Sequence, residues 1–289
     1  LGNATVLAYD NVGNMISTIN AAGETTQHAY SKTGLVTKTT EPLNGVMTYT
    51  YDANGNLINA KDAGGYEAEI TYDAVNRTKT ATDALGLTTT FTYDGVGNLV
   101  EESNNNGVKN TYAYDAVGNL LKDTDSLDNE TNYTYDLNGN LLTVTAADGT
   151  VTSYTYDVLG NLTSLTDALS QKTSFTYDVV GNLTKKVVPN GGAYTYSYDK
   201  VGRMISTVDP EGLTTQYAYN EFDEIVKTTD ANGNDSTAAY DIGGNLIAET
   251  DQNGHATKYT YDNDYRLIKV AYADGSTNQF AYDANGNAV

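Results

Sequence analysis

The 289-residue chain has no cysteine, no tryptophan, three prolines and only two histidines. Without cysteine it can form no disulfide and no thiolate nucleophile, so its stability must come from packing or from bound ions. His28 and His255 are too few to build a histidine metal centre or to serve several catalytic sites. We interpret His28 as a ring within a strand and His255 as an exposed residue after a turn glycine.

Positive charge is also scarce, with 16 lysines and arginines against 37 acidic residues and a net charge of −21. Such a surface repels nucleic-acid phosphates and anionic membranes, so we expect no nucleic-acid partner. No apolar run is long enough to cross a bilayer, so we expect no membrane insertion. No signal peptide is visible in the sequence.

The chain is rich in tyrosine and glycine, with 25 and 27 residues, and one tyrosine recurs every 21 residues. A fixed short period indicates a repeat array, and we number each unit from this pacing tyrosine as position 1. We predict a single array of about 14 units over residues 1–289, with both ends in mid-repeat. The pacing tyrosines, predicted to be structural, are Tyr9, Tyr30, Tyr51, Tyr72, Tyr93, Tyr114, Tyr135, Tyr156, Tyr177, Tyr198, Tyr219, Tyr240, Tyr261 and Tyr282.

Each pacing tyrosine is followed by a predicted turn. Aspartate occupies position 2 in twelve of fourteen units and glycine occupies position 5 in eleven. An aspartate can cap the first peptide N–H groups of a turn, and glycine adopts the positive φ that closes a hairpin loop of three to four residues. Clear examples of the predicted turn residues are Asp52, Gly55, Asp94, Gly97, Asp136, Gly139, Asp178 and Gly181.

A second predicted turn lies half a repeat later, at positions 12 to 15, where ten of thirteen units have glycine. Asp83-Ala84-Leu85-Gly86 is a clear copy. Pro210, in Asp209-Pro210-Glu211-Gly212, fits the second position of a type I turn because its φ is fixed.

The residues between the turns alternate as in half-buried strands. Positions 20 and 1 carry rings, as in Tyr49 with Tyr51 and Phe91 with Tyr93, while position 21 between them is Ala, Thr or Ser. One face of the strand is therefore aromatic and the other small and polar. We expect the rings of neighbouring hairpins to stack on one another, each contact contributing about 0.2–1 kcal/mol.

Fourteen units give roughly 28 strands, which as a flat sheet would extend beyond about 100 Å. Open sheets of more than about ten strands curl or split. We therefore predict an all-β fold: a repeat array of antiparallel β-hairpins coiled into a spiral, hollow or tube-like sheet. A parallel β-helix with one coil per repeat is the alternative geometry.

The unit Tyr-Asp-x-x-Gly-Asn-Leu followed by Thr-Asp-x-x-Gly resembles the YD repeat of Rhs proteins, Tc-type toxin subunits, wall-associated bacterial proteins and teneurins. The resemblance covers essentially the whole chain. It implies a ribbon of hairpins wound into a hollow shell, which encloses a C-terminal toxin in Rhs and Tc-type relatives and belongs to an adhesion module in teneurins.

The sequence departs from the toxin pattern in lacking the closing segment that carries aspartyl self-cleavage. Asp209-Pro210-Glu211-Gly212-Leu213 resembles part of that segment, but it occupies the place of an ordinary second turn. The uniformity of the units also favours an open tube or fibre over a capsule.

Some aspartates invite a catalytic or metal-binding interpretation. Asp52-Ala53-Asn54-Gly55-Asn56 is superficially similar to a calcium loop, but such a loop needs glycine at its sixth position and glutamate at its twelfth. Here Gly55 is fourth and Ala63 is twelfth. We therefore predict turn capping and no cofactor, with weak calcium binding as the alternative. The carboxylate pairs Glu101-Glu102 and Asp123 with Asp125 are interpreted as a solvated face.

We predict a non-enzymatic scaffold, a shell, tube or fibre segment of a large secreted or cell-surface bacterial protein. Its expected partners are flanking parts of the same polypeptide, identical chains end to end, or an enclosed polypeptide. The alternative is an adhesion module that binds glycans or calcium through exposed tyrosines and aspartates. Burial of the pacing tyrosines favours the scaffold, and exposure in a groove favours glycans. The only conspicuous breaks in the pattern, Asn76-Arg77 and Asp264-Tyr265, supply no catalytic set.

Overall fold

A computed structural model describes residues 5–283 and 286–289, and these residues form β-strands and turns without a helix. The described part of the chain accordingly offers no helix that could cross a membrane. It divides into two compact units, Leu1–Asn132 with Tyr282–Val289 and Tyr133–Ala281.

The first unit contains twelve complete strands. They are β1 (Val6–Tyr9), β2 (Met15–Ile19), β3 (Thr25–Tyr30), β4 (Val36–Thr40), β5 (Val46–Tyr51), β6 (Leu57–Lys61), β7 (Glu67–Tyr72), β8 (Thr78–Thr82), β9 (Thr88–Tyr93), β10 (Leu99–Asn104), β11 (Lys109–Tyr114) and β12 (Leu120–Thr124). Strand β13 (Glu130–Tyr135) has residues in both units.

The second compact unit contains fourteen strands. They are β14 (Leu141–Thr145), β15 (Val151–Tyr156), β16 (Leu162–Thr166), β17 (Lys172–Tyr177), β18 (Leu183–Val187), β19 (Ala193–Tyr198), β20 (Met204–Val208), β21 (Thr214–Tyr219), β22 (Ile225–Thr229), β23 (Asp235–Tyr240), β24 (Leu246–Thr250), β25 (Ala256–Tyr261), β26 (Leu267–Ala271) and β27 (Thr277–Gln279).

Within each of the two compact units, every strand pairs antiparallel with its neighbour in sequence. This pattern confirms the predicted all-β array of antiparallel hairpins. The alternative parallel β-helix is wrong, because none of the pairings between described strands is parallel. Loops of three residues favour the antiparallel arrangement, since a parallel pair needs a crossover of a dozen residues or more.

The turn after each pacing tyrosine, which we call turn A, follows one geometry. In the copy at Asp52, the Asp52 N–H donates to the Asn56 carbonyl at 2.9 Å and the Gly55 N–H donates to the Asp52 carbonyl at 3.1 Å. Gly55 has φ 87°. This is a type I turn completed by a left-handed residue, the usual three-residue hairpin loop. One extra residue, Ile58, makes a bulge directly after the turn.

The second turn of each unit, turn B, has the same bonds. Asp83 N–H donates to the Leu87 carbonyl and Gly86 N–H donates to the Asp83 carbonyl. Six residues other than glycine also adopt the left-handed conformation at this position, with φ between 61° and 66°. They are Asn76, Asp223 and Tyr265 in A turns and Asn44, Asp128 and Ser170 in B turns. The turn therefore imposes this conformation on whichever residue occupies the position.

Strand alternation gives the sheet two different faces. The ring face carries positions 1, 10, 18 and 20, as in half-buried Tyr49 and Tyr51, while the polar face carries positions 9, 11, 19 and 21, as in exposed Thr50. Among the described residues only Thr39, Ser164 and Val270 are buried. The array therefore has no deep hydrophobic core and depends on contacts between neighbouring strands.

The negative charge is concentrated in the turns. The 27 strands contain eight of the 37 acidic residues but eleven of the 16 basic ones. Strand lysines find partners across the polar face, as in Lys122 with Glu130 at 2.7 Å and Lys227 with Asp235 at 2.8 Å. The sheet faces are thus close to electrically balanced, and the hairpin turns carry the excess carboxylates.

Candidate functional site: the contacts that hold the hairpins

The predicted turn aspartates cap their own loops. In the turn at Asp178, carboxylate oxygen Oδ1 accepts the N–H groups of Val180 at 3.0 Å and Asn182 at 2.9 Å, and Oδ2 accepts Asn182 Nδ2 at 2.9 Å. The same three bonds occur at Asp52 and Asp136. Both carboxylate oxygens are therefore committed inside the loop.

These bonds lower the pKa of the turn carboxyls. At Asp52 the pKa lies below its ordinary value because the Asn56 side-chain amide, and after it the Asn56 backbone N–H, stabilise the ionised form. The same causes act at Asp136 through Asn140. A turn A carboxyl is thus an acceptor that stays ionised at neutral pH.

The predicted glycines occupy the left-handed position of the same loops. Gly55, Gly97, Gly139 and Gly181 have φ of 87°, 106°, 83° and 94°. Each donates its N–H to the carbonyl of the turn aspartate, with distances of 3.1–3.2 Å. These residues act through the backbone, and any side chain there would be strained.

The pacing tyrosines from Tyr9 to Tyr261 are half-buried, and each is the last residue of an odd-numbered strand. Tyr282 lies outside these strands and forms an isolated bridge with Ala288. Hydroxyls of the pacing tyrosines reach the preceding unit. Tyr177 Oη donates to the Leu162 carbonyl at 2.9 Å, and both residues lie on neighbouring strands, β17 and β16. Such bonds, each spanning fifteen residues, join Tyr30 to Met15, Tyr51 to Val36, Tyr72 to Leu57, Tyr93 to Thr78, Tyr177 to Leu162, Tyr198 to Leu183, Tyr219 to Met204, Tyr240 to Ile225 and Tyr261 to Leu246.

The location of this bond explains its purpose. Strands β16 and β17 pair from Thr166 with Lys172 to Ser164 with Ser174, and the ladder stops there. Beyond that pair the strands separate into their own A turns, forming a fork. The Leu162 carbonyl lies at the fork, and the Tyr177 hydroxyl supplies the donor that the backbone ladder no longer provides. We call this contact the fork bond.

The phenol stays a donor over a wide pH range. Burial, followed by the charge of Asp157, raises the pKa of Tyr177 above its ordinary value. The fork bond is therefore a neutral contact, in contrast to the ionised cap of turn A.

In three A turns an arginine replaces the asparagine of position 6. Arg203 donates to Asp199 Oδ2 at 2.7 Å, to Asp223 Oδ1 at 2.8 Å and to the Asn220 carbonyl at 2.9 Å, and its guanidinium lies 4.9 Å from the Tyr219 ring centre. These contacts fasten one A turn to the next. Arg77 likewise bonds Asp73 of its own turn and lies 4.4 Å from the Tyr93 ring centre, and Arg266 bonds Asp262.

The two breaks in the repeat are thus structural adaptations. Asn76 takes the left-handed position, and its side-chain oxygen accepts bonds from Asn54 and Asn56 of the preceding turn. Tyr265 takes the same position in its turn. Neither break brings catalytic groups together.

The remaining polar residues singled out from the sequence take ordinary places. His28 Nδ1 is 3.1 Å from Thr39 Oγ1 on the ring face, and exposed His255 bonds the carboxylate of Asp251 at 2.9 Å. Glu101 faces Lys109 on the polar face. Asp209 caps its B turn through the N–H groups of Glu211 and Leu213.

The carboxylate pairs do not converge. Glu101 and Glu102 are consecutive in β10 and so point to opposite faces, and Asp123 lies in β12 whereas Asp125 caps a turn. The described residues contain no group of three histidines or carboxylates placed to hold a metal ion. Weak calcium binding stays a prediction.

These features define a class of protein: a β-hairpin repeat array in which acidic turns and tyrosine bonds recur with the period of the sequence. The profile described as Teneurin YD-shell matches residues 4–121 and 78–255, and the profile described as RHS Repeat matches residues 240–277. The chain belongs to the teneurin YD-shell family.

A solved structure shares this fold. The chain is similar to the Tc holotoxin pore of Photorhabdus luminescens, with 18% identity and a TM-score of 0.50 over 99% of this chain and 20% of that one. It also aligns with TcdB2-TccC3-Cdc42 at 17% identity and a TM-score of 0.49, over 99% and 20% of the two chains. The chain spans about a fifth of the length of these solved chains. A comparison with curated protein sequences gives no match.

Proposed function

We propose that this chain is a non-enzymatic wall segment of an extracellular bacterial YD-repeat shell, with the ring face or the polar face turned toward an enclosed polypeptide. Membership of the YD-shell family supports a structural shell role. The observation that carries the proposal is the fork bond, because it lets the sheet grow hairpin by hairpin without a core.

The contacts of the repeat favour this role over a binding module. A glycan platform needs rings and polar groups that face solvent. Here the pacing rings are half-buried and hydroxyls such as those of Tyr177 and Tyr198 are bonded to carbonyls, while the turn carboxylates are occupied by their own loops. The repeated tyrosines and aspartates therefore stabilise the array itself.

Enclosure is tested by protease protection. A flexible, protease-sensitive reporter segment would be joined to the C-terminal end of the chain and digested beside the same segment carried on an unrelated soluble domain. We expect the reporter on the array to be cleaved at least about tenfold more slowly, because a wall shields polypeptide lying against it. Equal cleavage rates would reject enclosure, and electron microscopy of the same sample would then show whether the chains join into filaments.

The matched control adds urea at a concentration just above the unfolding midpoint of the array. Protection that depends on the wall disappears under this condition, whereas protection that persists comes from the reporter itself. The same experiment with calcium and with a chelator checks whether bound ions contribute to the wall.

A further inference from the structure

One large side chain is missing from the ring face. Position 20 holds Tyr217 in one unit and Tyr259 two units later, but Ala238 in the unit between them. Elsewhere from Tyr9 onward this position is always aromatic, histidine or isoleucine, so Ala238 is the one small residue in the row. A phenol ring replaced by a methyl group leaves space on the surface of a sheet.

Ala238 lies beside a hollow of about 430 Å³ in the compact unit Tyr133–Ala281. Three strand pairings assemble its floor on the ring face: Thr228 lies opposite Ser236, Ala238 opposite Glu249, and Glu249 opposite Thr257. Neighbouring strands are about 4.8 Å apart, so these five side chains form one continuous patch.

The cationic and imidazole groups around the hollow are already occupied. Lys227 pairs with Asp235 at 2.8 Å, and His255 Nδ1 bonds Asp251 Oδ2 at 2.9 Å. Asp251 also accepts two backbone N–H groups in its own turn. Each of these groups therefore already bonds a protein partner: Lys227 and His255 bond a carboxylate, and Asp251 bonds His255 and its own turn.

The acceptors, by contrast, are available. Glu249 receives one bond, from the Tyr259 hydroxyl to Oε1 at 2.5 Å, which leaves its second oxygen uncommitted. Across residues 5–283, the hydroxyls of Thr228, Ser236 and Thr257 form no hydrogen bond with another protein group. The hollow therefore offers a carboxylate oxygen and three hydroxyl oxygens.

We infer that this hollow binds the guanidinium group of an arginine side chain from a second polypeptide. A guanidinium is planar, carries five N–H donors and has no acceptor, so it complements a site with an excess of acceptor oxygens. Its flat shape suits a space from which a phenol ring is absent. The array already holds a guanidinium against carboxylates and a ring at Arg203, with Asp199, Asp223 and Tyr219.

The inference rests on the proposed function only for the source of the arginine, a polypeptide that lies along the ring face. The binding chemistry needs the isolated chain alone. A failure of the guanidinium site therefore leaves the protease-protection experiment untouched, and a failure of enclosure leaves the binding experiment untouched.

The test titrates the chain with an acetylated and amidated Gly-Arg-Gly peptide, followed by calorimetry and by NMR shifts of the backbone amides. The control peptide has citrulline in place of arginine, which keeps the shape and removes the charge. We expect saturable binding of the arginine peptide with shifts centred on Ala238 and Glu249. We expect the citrulline peptide and the Glu249→Gln variant each to bind at least about tenfold more weakly.

Two variants with the same new side chain separate filling of the hollow from a general effect. Ala238→Tyr restores the ring found at Tyr217 and Tyr259 and should abolish binding. Ala239→Tyr, one residue along on the polar face, should retain it. Unfolding curves of both variants confirm that the sheet is intact, and Glu249→Gln repeats the test without a change in volume.

Equal binding of the arginine and citrulline peptides, or unchanged binding by Ala238→Tyr, would overturn the inference. Binding of glucose in place of the arginine peptide, unaffected by Glu249→Gln, would also overturn it and identify the hollow as a polyol site.

Discussion

The A turns and the forks between them are held by opposite kinds of contact. In the turn at Asp178, the bonds join residues at most four positions apart and use an ionised carboxylate. At the fork beside it, Tyr177 reaches across fifteen residues with a neutral hydroxyl. The turn contact shapes one hairpin, and the fork contact joins that hairpin to the previous one.

This difference shows how a chain with almost no buried core can be ordered. Local capping offsets part of the entropic cost of forming each hairpin, but an isolated hairpin is marginally stable at best. The fork bond and the strand ladder then add a nearest-neighbour term for every unit, which is how stability accumulates in repeat proteins. Four predictions test this division.

The largest effect is expected from acid, because it acts on all the capped turns together. The pKa of A-turn carboxyls such as Asp52, Asp136 and Asp157 is lowered in the folded state, so their contribution is present above the unfolded-state value of about 4 and is lost as the pH falls through the folded value. We expect the urea midpoint to hold from pH 7 to about 5 and to drop steeply below about pH 4.

Acid also relieves repulsion among excess carboxylates, which has the opposite sign. Measuring at high salt screens that repulsion and isolates the caps. A midpoint that rises on acidification at high salt would contradict the role assigned to the caps.

The decrease in the urea midpoint caused by Tyr177→Phe should be the same at pH 3.5 and pH 7, because the fork bond is neutral.

The next largest effect is expected from one turn carboxylate. Asp178→Asn replaces the Oδ2 acceptor with a donor that faces Asn182 Nδ2, so the urea midpoint should fall. The turn at Asn220 shows the compensated version, in which Asn220 Nδ2 donates to Glu224 Oε2 at 2.6 Å.

A double-mutant cycle makes this quantitative. Asn182→Glu alone places two carboxylates together and should also destabilise, whereas Asp178→Asn with Asn182→Glu recreates the pair at Asn220 and should recover most of the loss. Strict additivity of the two single effects would show that the side chains do not interact.

A smaller effect is expected at the fork. Tyr177→Phe removes the bond to the Leu162 carbonyl and keeps the ring, which should cost about 1 kcal/mol. The control is Tyr196→Phe on the same face, because the Tyr196 hydroxyl forms no bond within residues 5–283, and its midpoint should hardly change. Equal losses of stability in the two variants would show that the fork bond does not stabilise the array.

The smallest effect, and a stabilising one, is expected at Ser170. It occupies the left-handed position of a B turn with φ 62°, where most units have glycine. Ser170→Gly should raise stability by about 0.5–1 kcal/mol, since relief of strain exceeds the added chain entropy. The matched change Ser126→Gly, in a turn position without positive φ, should not stabilise; a gain at both sites would assign the effect to something other than strain.

The sequence predicts the turns well, because each depends on a few adjacent residues. Asp52 and Gly55 are three positions apart, and their bonds are set by the loop alone. The period then predicts the hairpin array. The fork bond could not be inferred, because the acceptor of Tyr177 is decided by where the ladder between β16 and β17 ends.

Two other features lie between these cases. The contact of Arg203 with Tyr219 depends on the spacing of neighbouring turns, which no local pattern specifies. The hollow at Ala238 does have a sequence signal, since alanine interrupts a row of rings. Its polar lining, however, comes from Ser236 on the same strand and from residues on three other strands, so it requires the register.

Amide hydrogen exchange on Asp178→Ala and Tyr177→Phe tests the division between turn and fork most directly. The turn variant should speed exchange at the Val180 and Asn182 amides. The fork variant should speed it at Leu165 and Thr173, the pair next to the end of the ladder, whose amides bond across β16 and β17, and should leave Asn182 protected. Identical exchange patterns in the two variants, or unchanged protection of Leu165 and Thr173 when the Tyr177 hydroxyl is removed, would contradict this division between turn and fork.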